Sequence, residues 1–128
     1  MIRLFSLAVL LIAPHSLWAA EITIAPQGMP CIIALNGPIE LGDRDRMRAV
    51  MTQVEADLPS GALSAAAQQE GRRICLNSSG GALAEGVALA VLFNDNVFGT
   101  IVPRNASCLS ACAIAFMGGA GFVSQIAS

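Results

Sequence analysis

Residues 72–93 read RRICLNSSGGALAEGVALAVLF and contain a strand, a turn and a helix in immediate succession. RRICLN carries a short apolar run suited to a buried strand, SSGG is turn chemistry, and residues 82–93 are almost wholly apolar and long enough for a buried helix. Asn94, Asp95 and Asn96 end that helix. Glycines at a strand-to-helix turn let the backbone approach a ligand closely, and the free N–H groups there lie at the positive end of the helix dipole. The turn has neither the lysine nor the spacing of a nucleotide phosphate loop, and by itself Gly80-Gly81 is simply a tight turn.

The same order recurs on both sides. Upstream, CIIALNGPIE begins apolar at Cys31 and stops at Asn36-Gly37-Pro38, which reads as a strand and a turn. A helix follows, with Asp43 as its cap and Met47, Val50, Met51, Val54 and Leu58 at helical spacing, while the charges of RDRMR occupy the solvated face. Residues 59–71 are small and polar and read as a connection. Downstream, VFGTIVP is a third strand stopped by Pro103, and residues 110–117 form a third helix. This alternation predicts an α/β chain of three βα units, with a mostly parallel sheet, right-handed crossovers and both sheet faces covered. GGAGFVSQIAS then opens one further element and stops, so the sheet is expected either to lack its C-terminal part or to be completed by a partner.

Residues 1–20, MIRLFSLAVLLIAPHSLWAA, have one basic residue (Arg3), an apolar stretch over residues 4–13, the helix-breaking Pro14, and small Ala19 and Ala20. That is the anatomy of a signal peptide, and its apolar stretch is too short to span a bilayer comfortably. Cleavage after Ala19 or Ala20 is expected to leave residues 21–128 as one periplasmic or secreted domain, touching a membrane only if the segment stayed uncleaved. The formal net charge of −2 becomes one unit more negative without Arg3, and no basic cluster exists beyond RDRMR. Aromatic residues make up only 5% of the chain, so neither charge nor base stacking supports nucleic-acid binding.

The four cysteines, Cys31, Cys75, Cys108 and Cys112, are an even set in an exported chain, and disulfides are expected. Sequence alone permits more than one pairing. Cys108 and Cys112 are four residues apart at a loop-to-helix junction, within disulfide reach, which leaves Cys31 and Cys75 on neighbouring strands to pair. There is no CxxC pair, and the only histidine, His15, lies in the signal segment, so neither a metal site nor a cofactor is expected.

Residues 106–119, ASCLSACAIAFMGG, place Ser110 between Cys108 and Cys112 at the start of the third helix. Taken locally, Ser110 is a helix cap. Taken with LNSSGG one βα unit earlier, it lies on the carboxyl edge of a parallel sheet, where active sites collect. Ser110 Oγ could then attack a carbonyl whose oxyanion is held by the backbone N–H groups of Gly80 and Ala111. Glu85 suits the first turn of its helix and Asp95 a polar turn; neither is expected to act as an acid or base. Asn105-Ala106-Ser107 matches a glycosylation sequon.

The two motifs together resemble the ClpP/crotonase superfamily. LNSSGG looks like that family's Asn-Ser-Pro-Gly-Gly turn, and ASCLSACAIAFMGG resembles its nucleophile helix, most closely in the exported, cysteine-bearing Clp-protease-like proteins of bacteria. The likeness covers residues 31–119. It implies a partial ClpP/crotonase-like fold, Ser110 as nucleophile of a serine peptidase, Gly80 and Ala111 as oxyanion donors, and a peptide or protein substrate. Ser79 stands where the family has proline. The family's histidine base and orienting aspartate follow the serine helix, in a region these residues do not include, and no lysine is present to substitute. The expectation is therefore a truncated, inactive peptidase domain. Two alternatives remain: a non-catalytic envelope interaction module, whose apolar helices pack against copies of itself or another protein, and a crotonase-type acyl-thioester enzyme. Export argues against the second.

Overall fold

In the computed structural model, which describes residues 19–57 and 72–124, the three expected strand–helix units are present and two further strands flank them. In chain order the elements are β1 (Glu21–Ile24), β2 (Ile33–Asn36), α1 (Asp43–Asp57), β3 (Arg73–Asn77), α2 (Leu83–Asp95), β4 (Gly99–Val102), α3 (Ala111–Met117) and β5 (Phe122–Ser124). Residues 1–18, Leu58 and the connection expected at 59–71 lie outside the described residues.

The strands form one five-stranded mixed sheet in the order β1-β2-β3-β4-β5. β2, β3, β4 and β5 run parallel, with Ile33 opposite Ile74, Cys75 opposite Ile101 and Ile101 opposite Val123. β1 is antiparallel to β2, with Glu21 opposite Asn36. The sheet is thus mostly parallel, as expected; β5 is the further element opened by GGAGFVSQIAS, and the antiparallel β1 is the edge not anticipated. β1 is short and largely exposed, so pairing with β2 rather than an apolar pattern of its own makes it a strand. β5 is a three-residue strand held by β4.

Strand alternation sorts the sheet residues onto two unequal faces. Ile33, Leu35, Ile74 and Leu76 join a single core with Met47, Met51 and Val54 of α1, Leu89, Leu92 and Phe93 of α2, and Ala111, Cys112 and Ala115 of α3. Burial of side chains as large as Phe93 and Phe98 contributes roughly 1.5–3 kcal/mol each. The opposite face holds a smaller cluster of Cys31, Ala34, Cys75 and Ile101 with Ala25 packed on it. Among the described residues all three helices serve one core, and a disulfide joins Cys31 to Cys75 on the other side.

Two contacts fix the helices relative to one another. α2 and α3 approach to backbone distance: a Cβ on Gly86 would lie 2.4 Å from the Ala111 carbonyl oxygen, and one on Gly118 would lie 2.3 Å from Ala90 Cα. Glu85 reaches from α2 to the start of α1, where its Oε1 accepts the N–H groups of Arg44 at 2.7 Å and Gly42 at 3.2 Å. The cap of α1 thus comes from another helix. Asp43, expected in that role, is instead the first residue of α1 and fully buried; its carboxylate accepts the Glu40 N–H at 2.9 Å and pairs with the Arg46 guanidinium.

Candidate functional site

β3 does not end cleanly at Asn77. Ser78 makes an isolated parallel bridge to Cys108, with Ser78 N–H donating to the Ser107 carbonyl at 2.7 Å and Leu109 N–H to the Ser78 carbonyl at 3.1 Å. Asn77 Oδ1 accepts the Ser107 N–H at 3.1 Å. The segment leading into Ser110 is thereby strapped to the strand that leads into the glycine turn.

The two motifs consequently meet. A Cβ on Gly80 would fall 2.8 Å from Ser110 Cβ and 2.7 Å from the Leu109 carbonyl oxygen, and its φ of +102° belongs to glycine. Ser110 itself has φ 53° and ψ −121°, an uncommon backbone state for a residue with a side chain and one that costs on the order of 1–3 kcal/mol. Its hydroxyl does not cap α3, and the residue is exposed. The local capping role is not realised.

Cys108 and Cys112 form a disulfide across Ser110, with Cα atoms 5.1 Å apart, and the Cys31–Cys75 bond spans 5.6 Å between Cα atoms. Both pairings are those expected. Cys112 is wholly buried in the core, so the bond anchors the exposed serine turn to the inside of the domain.

Of the two amides expected to act as donors, one is engaged within the turn. Gly80 N–H donates to the buried Ser78 Oγ at 3.1 Å, so that amide is already engaged. The Gly80 carbonyl accepts the Ile39 N–H at 2.8 Å, and Ala82 N–H donates to the Ile39 carbonyl, also at 2.8 Å. Because the Gly80–Gly81 peptide is trans, the Gly81 N–H points away from Ile39. The N–H groups of Gly81 and Ala111 donate to no acceptor among the described residues. Ser78 was not singled out from sequence, although a serine two residues before a glycine is a known side-chain-to-backbone turn signal.

No histidine or lysine lies among the described residues. Glu85 is committed to the α1 amides and Asp43 to Arg46 and the Glu40 N–H, while Asp95 closes α2. Among the described residues no group of three histidine, cysteine or acidic side chains is arranged to hold a metal. Two clefts lie away from Ser110. One, of about 410 Å³, is lined by Ile24, Ala25, Met29, Ile32 and Val54; the other, of about 170 Å³, by Asn36, Asn77 and Arg104 among others. No described helix is long and apolar enough to cross a membrane, and two disulfides suit an oxidising compartment. Compared with known proteins, the chain matches no family model, no curated protein and no solved structure.

Proposed function

We propose that this is an exported domain with a Clp-protease-like acylation site, in which Ser110 is the nucleophile position of a serine peptidase on a ClpP/crotonase-like α/β frame. The observation that carries the reading is the backbone of Ser110: exposed, at positive φ, uncapped, and pressed against Gly80. Backbone strain of this kind persists only where surrounding structure enforces it, and the disulfide and the Ser78 bridge do so here. In this reading Ser110 Oγ adds to a peptide carbonyl carbon, and the oxyanion is met by the N–H groups of Gly81 and Ala111. Gly80, engaged by Ser78, keeps the turn in shape.

Among the described residues the Ser110 hydroxyl donates to no acceptor, and no histidine or lysine is there to take its proton. Without a base the hydroxyl stays protonated and weakly nucleophilic, and an oxyanion hole alone supplies only a residual part of the acceleration. These residues alone are therefore not expected to hydrolyse peptides, and a base has to come from outside them. A fluorophosphonate probe with and without added imidazole tests this: labelling confined to Ser110, dependent on imidazole and lost in Ser110→Ala, is expected. Labelling without imidazole contradicts the missing base, and no labelling at Ser110 in its presence contradicts the nucleophile.

A second reading, a non-catalytic interaction module, is favoured by the outer face of α2. Leu83, Val87 and Val91 recur every four residues and are 58%, 48% and 54% exposed, an apolar stripe that a partner or a second copy would cover.

A further inference from the structure

Ala20 is part of the folded core. It is 1% exposed, its methyl joins the cluster of Ile33, Leu35 and Met47, and a Cβ on Gly37 would lie 3.4 Å from its Cα. Its carbonyl accepts Arg46 Nη1 at 2.9 Å, and the same guanidinium pairs with the buried Asp43. We infer that an export peptidase cuts between Ala19 and Ala20, so that the mature protein begins at Ala20. The inference rests on the export reading above and fixes the bond.

In the cleavage, water adds across the Ala19–Ala20 amide, leaving a carboxylate on Ala19 and an ammonium on Ala20. The Ala20 methyl and carbonyl keep their partners, and the new ammonium forms at the junction with Ala19, which is only half-buried. A cut one residue later removes both. It deletes the Arg46 acceptor and puts the new ammonium on Glu21, beside a guanidinium that has just lost a partner. The residues before the bond lean the same way, for although neither candidate is small, Leu17 is less bulky than Trp18. Export peptidases favour small side chains immediately and three residues before the cut; a cut after Ala20 places Trp18 at the latter position, whereas a cut after Ala19 places Leu17 there. The peptidase meets the chain unfolded, so burial decides which product folds best and the preceding side chains decide where it cuts. Both point to the same bond.

The test is the intact mass and N-terminal sequence of the full chain after export by a bacterial host and purification with both disulfides formed. A start at Ala20 is expected. A start at Glu21 overturns the assigned bond and leaves export standing; retention of Met1 overturns the export reading and the inference with it. Mature chains starting at Ala20 and at Glu21, each released from an N-terminal fusion, give a second measurement. The Ala20 form is expected to melt about 5 °C higher, and equal midpoints overturn the structural argument.

Discussion

A Cβ placed on Gly80 would lie 2.8 Å from the Cβ of Ser110, so the turn after β3 and the start of α3 touch where only a glycine fits. Replacing Gly80 therefore attacks the site and the fold together. Gly80→Ala is expected to cost about 3 kcal/mol, from positive-φ strain and the clash with Ser110 and the Leu109 carbonyl. Denaturant unfolding measures it; a loss below about 1 kcal/mol would mean that the two elements are free to separate.

The two disulfides close loops of very different length, with sequence separations of 44 and 4. Chain-entropy reasoning assigns about 4 kcal/mol to Cys31–Cys75 and about 2 kcal/mol to Cys108–Cys112. Pairwise replacement by alanine is expected to follow that order in global stability. The short bond has the larger local effect, and its loss should speed amide exchange over residues 112–114 before the rest of the core.

Glu85 caps α1 from a distance of more than forty residues in sequence, through the Arg44 and Gly42 amides. Glu85→Ala leaves both donors without that acceptor and is expected to cost about 1–2 kcal/mol. Faster exchange at Arg44 N–H is the matching local signal, and an unchanged Arg44 rate would contradict the cap.

These contacts show where sequence reading reached and where it stopped. The unit from Arg73 to Asp95 was legible because strand, turn and helix are contiguous and each carries its own pattern. The four-residue spacing of Cys108 and Cys112 likewise put the two within bonding reach of each other. β1 was not legible, since Glu21–Ile24 owes its state to β2, and the Glu85 cap depends on how two helices come together. At the site, the meeting of the glycine turn with Ser110 could be anticipated from parallel-sheet topology. Which glycine amide is left without a partner could not, because Ile39 and the Ser78 hydroxyl set the orientation of those peptides.

Ser78 is the least conspicuous member of the turn and gives a selective test. Its buried hydroxyl accepts Gly80 N–H. Ser78→Ala is expected to lower stability by about 1–2 kcal/mol and to leave Gly80 N–H without this acceptor. A fall in imidazole-dependent labelling of Ser110 larger than the population of unfolded protein explains would show that this bond positions the turn.

Whether Ser110 and the Gly81 and Ala111 amides form one acylation site is decided by a crystal structure of the phosphonylated protein. Phosphorus is expected to be bonded to Ser110 Oγ, with one phosphonyl oxygen about 2.7–3.1 Å from both amide nitrogens. A phosphonyl oxygen turned to solvent, or a probe attached at any residue other than Ser110, would contradict it.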